Sequence, residues 1–513
     1  MVFITNTTYC EVLFMLGPWL SHREYQQQLI LKLIPHYLFN KGRVIQMEST
    51  IMKLFHLDLD KALPIIKPLY STTGAPAKDQ AAMIRSLFLM IELKEYSISQ
   101  RAEKVANDKL YYDICGFQGK APSASSYYDF IDRLWLGSKD AEIAKKRKLR
   151  SFQSKPRKRL KQGQKLPPKH KGAVKKLVMR AKLGTLRRSR REEVLQQFFS
   201  RLVVDTSAQM GLLGNTEALT IAGDGSPYYS GSSSYGIKEC KCKSQGIFNC
   251  QCPRRYSDPD ATWGWDSYRE QYFFGDTLYA FTAAGTKHDL PVYLRMVQAK
   301  RHDSITTIFA LQEFRELFPS LQVENAIFDG AMDNYPTYDL CHHWNIRPFI
   351  PLDGKSSVAL KNLPKGVMAF NHKGEPICDG GIPYAYWGAC YGKGHKYRCW
   401  FAAHNKPCPC SCSESPYGRT VYIKPEDDLR LFPAISRQSE TYKEKLRQRS
   451  GAERTNKRIF NDYDVERGSM RSTKHRFFRA VLAAINVHLD LWVKYSSIKL
   501  VDLLDEACAK ASA

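Results

Sequence analysis

The stretch Leu219-Thr220-Ile221-Ala222-Gly223-Asp224-Gly225-Ser226-Pro227 decides how the chain is read. Its apolar first half has the length of a short strand, and Gly-Ser-Pro stops that strand just past an acidic side chain. A carboxylate delivered to a strand end between two glycines meets an ion or a phosphate without steric obstruction. A strand ending in Asp-Gly is equally an ordinary hairpin turn. The pattern recurs in Asn325-Ala326-Ile327-Phe328-Asp329-Gly330, which raises the question of one shared site.

Around these two stretches the sequence reads as α/β. Tyr272 to Ala283 and Val292 to Ala299 continue the first strand as a meander, turning through Gly285-Thr286-Lys287-His288-Asp289. Ile305 to Phe318 is an amphipathic helix that Asp303 or Ser304 is placed to cap. A strand ending at Asp329, a helix from Tyr335 to Trp344 and a strand from Arg347 to Leu352 follow. Three antiparallel strands, then helix, parallel strand, helix and strand, is the element order of a ribonuclease-H-like fold. In that order the strands ending at Asp224 and Asp329 lie side by side and parallel. Two carboxylates brought together repel, and a divalent cation between them relieves the repulsion. Mg²⁺ suits such a site because it keeps positions for water and phosphate.

Residues 355–435 break the pattern with Gly, Pro, Tyr and Cys in hairpin-like pieces, a β-rich insertion. Helix returns from Glu440 to Phe460, and Phe477 to Val493 is apolar enough to pack on the sheet. Within the first of these, Arg449, Glu453 and Lys457 fall at i, i+4 and i+8 on one helix face, so Glu453 is the candidate third carboxylate. Read in isolation, this is also a surface helix with ordinary ion pairs.

Upstream, Leu59 to Trp135 is helical. Asp79 to Met90 follows Pro76 and is apolar nearly all round, Ser97 caps a second helix through Val105, and Ser125 or Ser126 caps a third from Tyr127 to Trp135. Three short helices before a basic segment suit a helix-turn-helix DNA-binding module, and equally a plain packing domain. Lys145 to Arg191 contains about twenty-one Lys or Arg and no Asp or Glu. Arg157-Lys158-Arg159, Lys175-Lys176 and Arg187-Arg188-Ser189-Arg190-Arg191 are spaced along it as contacts to a phosphate backbone would be. A solvated charge run is the bland alternative. Lys175 to Met210 then turns helix-like. The domain reading is a leader of unassigned role at 1–46, a helical DNA-binding domain at 47–140 and a basic linker at 141–213. The catalytic core occupies 214–354 and 436–500, split by the insertion at 355–435.

The totals agree with a polyanionic partner. A chain of 513 residues with 43% hydrophobic content is globular and large enough for several domains. Its formal net charge of +26 points to nucleic acid or an anionic surface. No apolar run reaches the ~18 residues that span a bilayer. Tyr9 to Leu20, the best candidate, is short and lacks a basic segment before it, so no membrane role and a cytoplasmic location are expected. Of the 14 cysteines, Cys240-Lys241-Cys242 and Cys250-Gln251-Cys252 form paired C-x-C motifs. Four such thiolates suit a structural Zn²⁺, although the same residues are also consistent with reduced, metal-free thiols. The insertion adds Cys378, Cys390, Cys399, Cys408, Cys410 and Cys412.

Taken in order, Asp224-Gly225-Ser226, Asp329-Gly330 and Arg449-(three residues)-Glu453 resemble the acidic triad of DDE insertion-sequence transposases that carry an insertion before the final Glu. Arg301-His302-Asp303-Ser304 and the run from Lys120 through Tyr127 to Arg133-Leu134 are similar to segments common in that group, so the resemblance spans roughly residues 50 to 495. In the related group whose last helix carries a Tyr, Arg, Glu, Lys signature, Tyr and Lys stand seven residues either side of the Glu; here those positions hold Leu446 and Phe460. The resemblance implies an all-α N-terminal DNA-binding domain before a ribonuclease-H-like core. It implies two Mg²⁺ ions, with Mn²⁺ as a substitute, bridged by Asp224 and completed by Asp329 and Glu453. Arg449 and Lys457 would hold DNA phosphates. The partners implied are double-stranded DNA, as the element's terminal inverted repeats and as target, and further copies of the chain in a homodimer or larger assembly, nucleoid-associated when on DNA. A catalytically inactive or repurposed DNA-binding protein is the alternative.

Overall fold

The computed structural model of the chain describes residues 16–146, 149–150, 152–155, 172–186, 193–352, 363–371, 373–410, 412–466 and 470–512. Helices come first: α1 (His22–Phe39), α2 (Gln80–Glu92), α3 (Ile98–Asn107), α4 (Ala124–Lys146) and α5 (Ala173–Lys182). The sheet and its helices follow as β1 (Leu219–Tyr229), β2 (Thr262–Asp266), β3 (Gln271–Ala283), β4 (Leu290–Gln298), α6 (Asp303–Leu317), β5 (Val323–Ile327), α7 (Tyr335–His343) and β6 (Arg347–Phe349). The insertion contributes β7 (Ala385–Cys390), β8 (Gly394–Arg398) and β9 (Thr420–Ile423). The chain returns through α8 (Glu440–Arg447), α9 (Ser450–Lys457), α10 (Thr473–Tyr495) and α11 (Leu500–Ser512).

The protein is thus of mixed α/β class, built on one six-stranded sheet. β1 sits at its centre, antiparallel to β3 through Asp224↔Ala280 and parallel to β5 through Ala222↔Ile327. β6 continues the parallel side, and β2 and β4 share the far edge of β3. Helices cover both faces, as a sheet with parallel strands requires. Because side chains alternate, the odd residues Tyr279, Tyr293 and Arg295 turn to α6, where they meet Thr307 and Glu313. Asp276 turns the other way, to the buried guanidinium of Arg476 on α10, which also binds Asp258 at 2.6 Å.

Within the leader to which the sequence assigned no role, α1 buries Tyr25, Leu29, Leu33 and Tyr37, a four-residue repeat, and Tyr37 Oη donates to Asp505 of α11 at 2.9 Å. The exposed Leu31, Leu38 and Phe39 lie on its other side, which blurs the apolar stripe in the sequence. The helices α2 to α4 join the same core. Their buried side chains run without a break into those of α10 and the sheet, from Tyr25 to Leu504. Asp79 and Ser97 cap α2 and α3, whereas α4 begins earlier than its sequence suggests: Ser123, and not Ser125 or Ser126, accepts from the Ser126 amide.

The basic segment contributes α5 to the fold. α5 packs Val178 and Ala181 on Ile308 and Leu340, and Lys182 pairs with Asp339 at 2.9 Å. An apolar stripe with an acidic partner offsets the like-charge repulsion expected of the segment as a whole. No helix among the described residues is long and apolar enough to cross a membrane.

Candidate functional site

β1 does not stop at Asp224 as its Gly-Ser-Pro suggested: it runs on to Tyr229, paired with β3 throughout, so Asp224 lies within the strand. Asp224 and Asp329 each stand two residues past the register pair Ala222↔Ile327, which brings them to the same level where β5 ends. Gly223 is obligatory there, since a Cβ would stand 2.7 Å from both Phe328 and the Tyr279 hydroxyl. Asp329 Oδ1 accepts from the Ala331 amide at 3.1 Å, which fixes the turn after β5.

A third carboxylate joins them, and it is one that the sequence reading placed elsewhere. His302, rather than Asp303 or Ser304, caps α6, its Nδ1 accepting from the Ser304 amide at 3.3 Å. Asp303 is thereby released from capping. Its two oxygens lie 3.0 and 3.2 Å from where a Cβ on Gly225 would stand, and no donor among the described residues hydrogen-bonds to them. The Arg-His-Asp-Ser sequence could have flagged this only if His had been considered as the cap.

Glu453 arrives differently from the expected continuous helix. The segment from Glu440 divides at Gln448–Arg449 into α8 and α9, with Arg449 at the N-cap position and a π-turn at Arg458–Asp462. Arg449 and Glu453 still pair, at 2.6 Å, but Glu453 is about half exposed (54%) and Lys457 points to solvent. The residue that touches Asp224 is Asn456, whose Nδ2 donates to Asp224 Oδ2 at 3.1 Å. α9 is clamped in that position by the turn before β4. Arg454 Nε donates to Asp289 Oδ2 at 2.7 Å, Thr455 Oγ1 donates to the Asp289 carbonyl at 2.6 Å, and a Cβ on Gly451 would meet Asp289 Oδ1 at 2.5 Å.

The electrostatics follow from this crowding. Burial pushes the Asp224 carboxyl up to about 6; the Arg449 guanidinium opposes this, and the carboxylates of Asp303, Asp329 and Glu453 add to it. Asp303 is pushed to about 6 as well, by burial and by Asp329. Asn456 Oδ1 is buried and has no hydrogen-bond partner among the described residues. Hard oxygen donors, mutual repulsion and an unsatisfied amide oxygen make a donor set that suits a cation such as Mg²⁺. The carboxylates do not form a closed cage: among the described residues, only the four loop cysteines gather three or more ligand atoms all within 4.8 Å of one another.

Those cysteines are Cys240, Cys242, Cys250 and Cys252, and they could hold a metal such as zinc. Cys240 and Cys250 lie 3.5 Å apart, as do Cys242 and Cys252. A tetrahedral Zn–S site with bonds of about 2.3 Å has S···S edges of about 3.8 Å. The Cys242 amide and the Cys250 thiol pull the Cys240 thiol down to about 7, while Cys252 and Cys240 push Cys242 up to about 12. The cluster closes a hairpin whose strands, Ile237–Lys238 and Arg254–Arg255, pair antiparallel. Leu149–Arg150, from the basic segment, adds a third strand to Arg254–Arg255.

Of the proposed DNA-binding residues, Lys175 and Lys176 are exposed on α5, and Arg449 stands beside Asp224. Arg157, Lys158, Arg159, Arg187, Arg188, Arg190 and Arg191 lie outside the described residues. The sequence reading also passed over a cationic, aromatic face on the insertion. Trp387 and Tyr422 are exposed there, with Arg398 stacked 4.8 Å over Trp387 and Lys393 5.4 Å over Tyr422. Comparisons of the chain with protein-family models, with curated proteins and with solved structures found no match.

Proposed function

We propose that the protein is a DNA transposase of the DDE type, cutting and joining DNA strands at the ends of its own insertion sequence. The observation that carries this reading is that parallel pairing sets Asp224 and Asp329 at the same level of adjacent strands, with Asp303 and Glu453 near enough to act on the Asp224 carboxyl. The strand order β4-β3-β1-β5-β6, the meander preceding the parallel pair, supports a ribonuclease-H-like assignment of the core. The net charge of +26 and the outward-facing Lys175 and Lys176 support DNA as the partner.

Asp224, Asp329 and Glu453 would hold Mg²⁺ or Mn²⁺, with Asp303 contributing further negative charge. A cation held there would supply acidification of an attacking water or 3′-hydroxyl and neutralisation of the leaving oxygen. The chain's own groups do the rest. Asn456 orients the Asp224 carboxylate through its amide, and the Asp289 clamp holds α9 at the distance this requires. Arg449 places a positive charge beside Asp224, where a scissile phosphate needs one. Its ion pair with Glu453 must loosen for both residues to act.

That ion pair favours a second reading, a DNA-binding protein without strand chemistry, in which Arg449 permanently occupies Glu453. Purified protein incubated with DNA from the ends of its element, with and without Mg²⁺, separates the two. Nicking that needs the metal and disappears in Asp224→Ala supports the transposase. Salt-sensitive binding with no metal-dependent nicking supports the second reading.

A further inference from the structure

The insertion holds a second group of sulfurs that nothing in the catalytic reading uses. Cys399 and Cys408 lie 3.8 Å apart, the edge length of a tetrahedral zinc–thiolate site. Cys408, Cys410 and Cys412 follow one another at every second residue, so the run returns three sulfurs to one neighbourhood. Cys378 approaches from the turn at residues 378–381. The backbone makes room for the group at two glycines: a Cβ on Gly380 would lie 1.9 Å from Cys410 Sγ and 3.8 Å from Cys378 Sγ. A Cβ on Gly418 would lie 2.9 Å from Cys399 Cβ and 3.8 Å from its Sγ. A side chain at Gly380 would drive the Cys410 sulfur out, and one at Gly418 would push on the Cys399 Cβ that carries its sulfur.

We propose that the insertion carries a second zinc site, in which Cys399, Cys408 and Cys410 supply three thiolates and Cys412 or Cys378 the fourth. The thiols already sense one another. Cys408 is held below its ordinary value by the Cys410 amide and by Cys399, Cys410 and Cys412, and Cys410 is pushed up to about 11 by desolvation, Cys408 and Cys378. No three of these sulfurs are drawn together as closely as the four of the β1 loop, so zinc contracts the group. Each bound thiol gives its proton to solvent, which makes binding tighter as pH rises.

The insertion needs such a staple. Its own core is a small satellite, with Phe370, Tyr384, Tyr397, Val421, Ile423 and Phe432 at its centre, separate from the main core. Units that bury so little depend on cross-links or metals. Zinc would tie the strand of Tyr397, the helix at Trp400–Ala403 and the run to Cys412 back to the Cys378 turn. Cys390 interacts with Tyr386 and Lys396 on the β7–β8 hairpin and lies outside the group.

The test is the zinc content of the full chain, purified in reductant and measured by mass spectrometry, together with alkylation of each cysteine before and after chelation. The expected result is two zinc ions per chain, with Cys399→Ser and Cys408→Ser each losing one. Cys240→Ser should lose the other, and Cys390→Ser none. In the unmutated protein, Cys399, Cys408 and Cys410 should resist iodoacetamide until a chelator removes the metal. Because that readout needs no variant, poor folding of Cys408→Ser cannot mask the answer. Equal alkylation of these cysteines with and without chelator, recovery of a Cys399–Cys408 disulfide, or unchanged zinc in well-folded Cys408→Ser would overturn the proposal.

Discussion

Asp224→Asn should stabilise the metal-free protein while abolishing its chemistry. The Asp224 carboxyl is raised from an ordinary 3.8 to about 6, first by burial and then by three neighbouring acids. At about 1.4 kcal/mol per tenfold change, keeping it ionised in the fold costs on the order of 3 kcal/mol. The amide removes that cost yet keeps an oxygen to accept from Asn456 Nδ2, which lies 3.1 Å from the native carboxylate. Unfolding entropy of ~2.1 cal/mol/K per residue gives about 1 kcal/mol/K for a chain of 513 residues, so the melting midpoint at pH 7.5 should rise by about 3 °C. The pH dependence carries the sign. The folded state holds the proton more tightly than the unfolded, so wild-type stability falls as pH rises from about 4 to about 6 and then levels off. The gain from the substitution should therefore vanish near pH 4 and saturate above pH 6. Adding Mg²⁺ in chelated and unchelated samples gives a second measure: the cation should raise the midpoint of the wild type more than that of the variant. Calorimetry finding Asp224→Asn equal to or less stable than wild type at pH 7.5, with no pH dependence in the difference, would refute the crowded-carboxylate argument.

The remaining predictions use the same structure at other points. Leu33→Ala, at a fully buried position of α1, should cost about 3–5 kcal/mol in denaturant melts, and deleting residues 1–46 should leave the protein insoluble; a deletion that folds normally would mean that α1 is dispensable. Asp303→Asn should lower metal-dependent DNA nicking by roughly 10²-fold with little change in DNA affinity, since Asp303 lies beside Gly225 and acts on the Asp224 carboxyl. Lys175→Ala with Lys176→Ala should reduce the slope of log affinity against log salt by roughly 2, and an unchanged slope would remove α5 from the DNA contact. Cys240→Ser with Cys242→Ser should lose one zinc and, by freeing the Leu149–Arg150 strand from its hairpin, weaken DNA binding; filter binding beside metal analysis would show whether the two losses go together.

The central sheet was legible because its signals are local and repeated. An apolar run reaching Asp-Gly occurs twice, although β1 continues past its Asp-Gly to Tyr229, and strand order follows once the meander and the two crossover helices are recognised. Features set by packing between distant segments were not. α1 shows apolar residues on both sides, so its four-residue repeat of Tyr25, Leu29, Leu33 and Tyr37 emerges only when α11 covers one side. Asp303 reads as a helix cap because Asp is a good one, and only the position of His302 displaces it. The division of α8 from α9 carries no Gly or Pro at Gln448–Arg449 to announce it. It is fixed from outside, by Asp289 holding Arg454 and Thr455.

That division bears on how the third carboxylate reaches the site. Had the helix run straight from Glu440, Arg449, Glu453 and Lys457 would share one face and move as a unit. With the break, α9 is a two-turn element pinned at its inner side by Asp289 and Asn456, while its outer side carries Glu453 and Lys457 toward solvent. The inner contacts fix the height of α9 over β1; they leave the Arg449–Glu453 pair as the adjustable part. Being exposed, that pair is worth only about 0.3–0.5 kcal/mol, so a polyanion that claims Arg449 would release Glu453 at little cost. DNA and metal would then favour each other at this site: phosphate on Arg449 frees a carboxylate for the cation, and a cation on Glu453 frees the guanidinium for phosphate. Reciprocal coupling of this kind is a thermodynamic requirement once both ligands compete for the same ion pair. Arg449→Ala should abolish it, leaving Mg²⁺ affinity the same with and without DNA, whereas coupling that survives the substitution would place its origin elsewhere.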